Sequence, residues 1–195
     1  MSERYRILLE RLDSWFAEAT VGREEVIPCR SGCTACCHGP FDISPADAEL
    51  LQEGLALLPA DQRTDIRGRG ARLLAKMKAL APGWDAPWDV DELGEEAFDE
   101  MAEGLVAEPC PVLGDDGRCR AYAHRPLVCR LIGLPMLTDL GDALPNACPI
   151  QEQFPVYAAL APIPFAYEAF AAEELAILAE TDGVETTIAA VAADS

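Results

Sequence analysis

Apolar side chains recur at steps of three and four through Tyr5, Leu8, Leu9, Leu12, Trp15, Phe16 and Ala19, so residues 2–21 are predicted to form an amphipathic helix. The stretch "SPADAELLQEGLALL" predicts a second helix over 45–58. Ser44 is its cap, and Pro45 takes the first helical position, where a missing N–H costs nothing. A helical pattern continues over 60–81, weakened by Gly68 and Gly70. Residues 82–94 read as irregular, with Trp84 and Trp88 as core or lid residues, and a short helix follows near 95–105. Two further helices are predicted over 149–160 and 165–181, separated by "APIP", and a weak tail helix closes the chain. There is no internal repeat and no sustained strand alternation. The fold expected is mainly α, a single helical domain over 1–195 with long irregular loops between the helices.

Length and composition fit that picture. The 195 residues are half apolar and a quarter charged, enough to build a core without help from metal or disulfides. The formal charge of −19 excludes a large nucleic-acid or anionic-membrane footprint, since both require a basic face. No apolar run has the length of a membrane span, and the first residues lack a signal-peptide core. The expected location is therefore the cytoplasm, where thiols stay reduced. Charge is unevenly distributed: residues 82–109 and 131–195 each carry ten acids and no base. Acidic helix faces of this kind solvate the protein. The bases near the cysteines, Arg30, Arg118, Arg120, Arg125 and Arg130, sit where clustered thiolates would concentrate negative charge.

Eight cysteines carry the candidate chemistry: Cys29, Cys33, Cys36 and Cys37 in one segment (29–39), and Cys110, Cys119, Cys129 and Cys148 in another (110–148). Both segments are irregular and rich in Gly and Pro, which lets several sulfurs converge, and metal binding would offset the cost of ordering the loops. In the second segment "CPVLGDDGRCRAY" reads as a small hairpin or knuckle around Asp116-Gly117, and "RPLVCRL" as one helical turn beginning at Pro126. Four thiols within nine residues fit poorly with ordinary core cysteines. A disulfide framework conflicts with a reducing compartment. The Cys33-Thr34-Ala35-Cys36 step lacks the βαβ setting of a thiol redox pair.

All-sulfur ligation suits zinc or iron–sulfur chemistry. Cys110-Pro111 and Cys148-Pro149 echo the Cys-Pro step of ferredoxin-type ligation and tilt the reading toward iron. The spacing of Cys29, Cys33 and Cys36 is that of the radical-SAM triplet, but Ala35 replaces the usual aromatic residue and no βα repeat is present. Adjacent side chains point apart, so Cys36 and Cys37 either serve two metals or wrap one polynuclear cluster. His38 and His124 read as polar loop residues beside the cysteine segments. No phosphate loop and no nucleophile–base arrangement is found.

"CRSGCTACC" followed by "CPVLGDDGRCRAYAHRPLVCRLIG" resembles the YkgJ-like CxxCxxCC cysteine-cluster family, described as chelating zinc or iron. The resemblance rests on Cys33, Cys36 and Cys37, with Cys29 as a more variably spaced first member. Downstream it rests on Cys110-Pro111, Gly117-Arg118-Cys119, Tyr122, Arg125-Pro126 and Cys129-Arg130. It implies metal binding and names no reaction. Cys148 joins the expected ligands by position alone. Two function classes follow. One is an iron or iron–sulfur protein with a redox or group-transfer role beside a protein partner. The other is a zinc-stabilised interaction module or a metal buffer. No nucleic-acid or membrane partner is expected.

Overall fold

The computed structural model describes residues 2–30 and 32–195; of the first cysteine segment, Ser31 lies outside the described residues. The helices are α1 (Glu3–Thr20), α2 (Pro45–Ala56), α3 (Ala60–Leu80), α4 (Val90–Leu93), α5 (Glu95–Gly104), α6 (Val128–Leu131), α7 (Pro155–Ala158), α8 (Tyr167–Leu178) and α9 (Ile188–Asp194). Five two-residue strands accompany them: β1 (Asp42–Ile43), β2 (Met136–Leu137), β3 (Ala143–Leu144), β4 (Ile163–Pro164) and β5 (Thr186–Thr187). The fold is mainly α. Its contacts define two compact units, each assembled from two separated stretches: Met1–Cys36 with Leu127–Glu180, and Cys37–Pro126 with Thr181–Ser195.

In the first unit, Ser2 caps α1 by accepting the Tyr5 N–H at 3.3 Å. The predicted apolar stripe is the buried one: Tyr5, Leu8, Leu9, Leu12 and Ala19. Burial of each large side chain contributes about 1.5–3 kcal/mol. Helices α1 and α8 pack together and are flanked by the exposed ion pairs Arg4–Glu180 and Arg11–Glu173, each worth little. At the end of α1, Trp15 donates its indole N–H to the Pro164 carbonyl at 2.8 Å and stacks on Phe165. The short sheet runs β3-β2-β4, with Met136 opposite Leu144 in antiparallel and Ile163 in parallel register.

Two elements of this unit depart from expectation. The helical turn at "RPLVCRL" begins at Val128 rather than Pro126, with Leu127 as the flanking residue whose carbonyl accepts the Arg130 and Leu131 N–H groups. The helix expected over 149–160 is broken into a 3-10 turn at Gln151–Gln153 and the single turn α7. The break falls at Phe154 (φ −127°, ψ 83°), because Pro155 excludes its predecessor from helical geometry.

In the second unit the Ser44 cap and Pro45 start α2 as expected, with Ser44 accepting the Asp47 N–H at 3.1 Å. The core gathers Leu73, Leu74 and Met77 of α3, Trp84, Val90, then Phe98 and Met101 of α5, with Ala189 and Ala190 of α9. Trp84 is a core residue, its indole N–H bound to the Asp89 carbonyl at 2.7 Å. The tail helix, read as weak, is a buried element: Ile188 through Ala192 are all inside. Gly70 of α3 makes this approach work. A Cβ there would lie 2.6 Å from the Ala193 nitrogen and 2.9 Å from the Ala189 carbonyl oxygen. The same segment closes the antiparallel pair β1–β5 and bonds the Ile188 N–H to the Phe41 carbonyl, which fixes the exit of the first cysteine segment. Among the described residues no helix is long and apolar enough to cross a membrane.

Candidate metal centre

The two units divide between Cys36 and Cys37. Cys29, Cys33, Cys36, Cys129 and Cys148 fall in the first unit, and Cys37, Cys110 and Cys119 in the second.

In the first unit, Cys33 closes a turn by donating its N–H to the Arg30 carbonyl at 2.9 Å. Cys29 lies within Coulombic reach of Cys148, Cys33 and Cys36. Cys29 is exposed as a residue, but its sulfur lies against buried groups, and desolvation raises its thiol pKa, opposed by its contact with the Tyr157 hydroxyl. Gly133, at φ +124°, lets that sulfur in: a Cβ there would stand 3.1 Å from Cys29 Sγ and 3.3 Å from Phe16. The Gly133 carbonyl accepts the buried Tyr157 hydroxyl at 2.6 Å, and Tyr157 Oη is 4.0 Å from Cys29 Sγ. Burial, with the Cys29 and Cys148 sulfurs beside it, pushes the Tyr157 hydroxyl far above its ordinary value. Cys148 is buried in the cluster of Ala19, Ile27, Leu134 and Tyr157, and its N–H binds the Asn146 side-chain oxygen at 2.9 Å. The Asn146 amide nitrogen is buried with no hydrogen-bond partner.

In the second unit, the N–H of Cys110 donates to the Cys37 carbonyl at 2.9 Å, and His38 pairs with Pro109 through backbone. The knuckle predicted around Asp116-Gly117 is present. Leu113 bridges Cys119, Gly114 donates to the Arg118 carbonyl at 2.8 Å, and Gly117 takes φ +74°. Burial pushes the Cys110 thiol up to about 12, opposed by hydrogen bonds from the Val112 and Leu113 N–H groups. Burial likewise raises Cys119, opposed by the Ala121 N–H and the charge of Arg125. These backbone hydrogen bonds oppose burial and favour the thiolate a metal requires.

The arginines near the cysteines meet several kinds of partner. Arg125 acts on a thiol, stacks 4.3 Å over Tyr122 and donates to the Tyr122 carbonyl. Arg120 instead pairs with Asp65 at 2.7 Å, and the buried Arg130 with Asp13. Arg69, not singled out in the sequence, holds the knuckle by donating to the Leu113 carbonyl and pairing with Asp65 and Asp115. His124 packs on α2, where a Cβ on Gly54 would meet its ring at 2.6 Å. Asp115-Asp116 forms a turn, with Asp116 accepting the Arg118 N–H at 3.1 Å.

Residues 28–149, more than half of the chain, match the family described as "CxxCxxCC: Putative zinc- or iron-chelating domain". The chain belongs to the CxxCxxCC family. The match takes in every cysteine of the protein, from Cys29 to Cys148, and supports metal binding by this CxxCxxCC chain. Neither the curated proteins nor the solved structures compared with it give a match.

The residues present suit a thiolate-bound metal. None of the eight cysteines is held in a disulfide, the donor set is soft, and backbone hydrogen bonds oppose the burial that raises the Cys110 and Cys119 thiols. Among the described residues no group of three Cys, His, Asp or Glu side chains stands ready to hold a metal ion. Asn146, Tyr157 and Gly133 were missed in the sequence. Only the position of Asn146, two residues before Cys148, offered a signal.

Proposed function

We propose that this CxxCxxCC chain holds metal through the cysteine thiolates of its two units, taken here as two sets. Cys29, Cys33, Cys36 and Cys148 form the first set, and Cys37, Cys110 and Cys119 belong to the second. Cys129 is retained as a ligand on its sequence position. The observation that carries this reading is that the family match over residues 28–149 takes in all eight cysteines, none of which is held in a disulfide.

Iron, as an iron–sulfur cluster, is the metal favoured by the Cys110-Pro111 and Cys148-Pro149 steps. Such a cluster supplies one-electron chemistry, consistent with a redox or group-transfer role beside a protein partner in a reducing cytoplasm. Zinc is the second reading, favoured by the tight knuckle around Cys119, and it would make the chain a metal-stabilised interaction module. Anaerobic purification with metal and acid-labile sulfide analysis and a visible spectrum separates the two. Brown protein containing iron and sulfide is expected; colourless protein with stoichiometric zinc and no sulfide would refute the iron–sulfur reading.

A further inference from the structure

The second unit carries a groove that the cysteine chemistry does not use. It encloses about 570 Å³, within the range of small-molecule pockets, and every residue lining it belongs to this unit. Pro45 of α2, Trp88, Val184 and Val191 of α9 give it apolar sides. Glu49, Asp182 and Asp194 add three carboxylates, and among the described residues no lysine, arginine or cysteine lines it. Trp88 is fixed in place, its N–H donating to the Asp85 carbonyl at 2.9 Å and its ring edge-on to Trp84 with centroids 5.2 Å apart. The Lys78 ammonium stands 5.7 Å from the centre of that ring, so the indole already takes one cation from outside the groove.

The groove also contains a hydrogen-bonding group left over. Thr186 is 8% exposed, and its hydroxyl finds no hydrogen-bond partner among the described residues. Its backbone is paired with Ile43 in the β1–β5 ladder. Val184 and Thr186 both line the groove, while Glu185 between them turns to Asp42, as side-chain alternation along an extended chain requires. A buried hydroxyl without a partner costs free energy. A neutral apolar guest would leave that hydroxyl and the carboxylates unanswered, and an anion would be repelled.

We infer that this groove binds a small organic cation, a primary amine on an apolar body. The body packs against Trp88, Val184 and Val191, and the ammonium is met by the Thr186 hydroxyl oxygen and the carboxylates of Asp182 and Asp194. The occupant is a free molecule, because a concavity of this volume encloses one, whereas a protein partner needs a face of roughly 800 Å². The site is separate from the thiols and does not depend on the metal reading.

The test is isothermal titration calorimetry of the full-length protein at neutral pH and low salt. The probes are phenethylamine and hexylamine, with neutral phenethyl alcohol and anionic phenylpropionate as counterparts. An amine is expected to bind with a Kd of roughly 0.1–1 mM, the alcohol at least about 10-fold more weakly and the anion not at all. Thr186→Val, close in shape but without the hydroxyl, and Asp182→Ala should each weaken the amine about 3- to 10-fold. A merely structural Thr186 would change Tm in Thr186→Val and leave amine affinity at the wild-type value, and that result would overturn the proposal. Equal binding of amine and alcohol, or no binding of either amine up to ~10 mM, would overturn it too. Binding of a lysine-containing peptide without binding of the free amines would replace it with a protein partner. Should Thr186→Val fail to fold, Asp182→Ala and Asp194→Ala, both at exposed positions, carry the same expectation and the same refutation.

Discussion

Replacing Gly70 with alanine tests how the second unit closes. In an exposed helix interior the change would stabilise the protein by up to about 1 kcal/mol, because glycine is a poor helix former. Here the new methyl would meet the Ala193 nitrogen at 2.6 Å, the Ala192 Cβ at 2.8 Å and the Ala189 oxygen at 2.9 Å. Two of those atoms are backbone of α9 and cannot swing aside, so the helix itself must retreat by several tenths of an ångström. Overpacking of this kind costs about 1–3 kcal/mol. Subtracting the propensity gain leaves a net destabilisation of up to about 2 kcal/mol, or a fall of up to roughly 8 °C in Tm for a chain of this size. Gly68, two residues earlier in α3, is the internal control, since its nearest neighbour is the flexible end of Arg72 at 3.4 Å. Gly68→Ala should raise Tm by roughly 2–4 °C. The assay is thermal and urea unfolding of the two variants side by side. If Gly70→Ala is stabilised as much as Gly68→Ala, the close approach of α3 and α9 is wrong.

Three further outcomes are expected. Cys36→Ser and Cys119→Ser should each remove about half of the bound metal, and the double variant nearly all, because the two thiols belong to different sets. Complete loss in either single variant would point to one shared cluster instead. Chelating the metal should lower thermal stability, and Cys129→Ser should lower metal content and Tm together. Burial, then a hydrogen bond with Asp42 and the charges of Asp42, Asp91 and Asp89, pushes the Glu185 carboxyl up to about 7. Since the folded pKa exceeds the unfolded one, folding is penalised as pH rises from about 4.5 through 7 and fully above it. Glu185→Gln should therefore stabilise the protein at pH 8 by about 1 kcal/mol, after discounting for solvent screening, and do nothing at pH 4. An equal effect at both pH values would remove this cause.

What the sequence disclosed was local. The Ser44-Pro45 start of α2 and the turn at Asp116-Gly117 each depend on a few neighbouring residues, and both formed as read. The apolar stripe of α1 is equally self-contained. The weight of α9 was invisible because an alanine-rich stretch has little amphipathic contrast, and because its partner face on α3 advertises itself only as a weakening glycine. Grouping of the thiols followed the same rule. Two clusters were evident along the chain, but Cys148 neighbours Cys29, and Cys37 neighbours Cys110, through contacts that linear spacing does not encode. The carboxylate partners of Arg120 and Arg130, Asp65 and Asp13, are far off in the sequence and were equally hidden.

The lateness of α9 has a consequence for biosynthesis. Every cysteine precedes residue 188, yet the core around Leu73, Leu74 and Met77 is sealed by Ala189 and Ala190. A chain emerging from the ribosome residue by residue presents all eight thiols before its second unit can close. Cys37, Cys110 and Cys119 thus precede in the chain the segment that completes the core of their own unit.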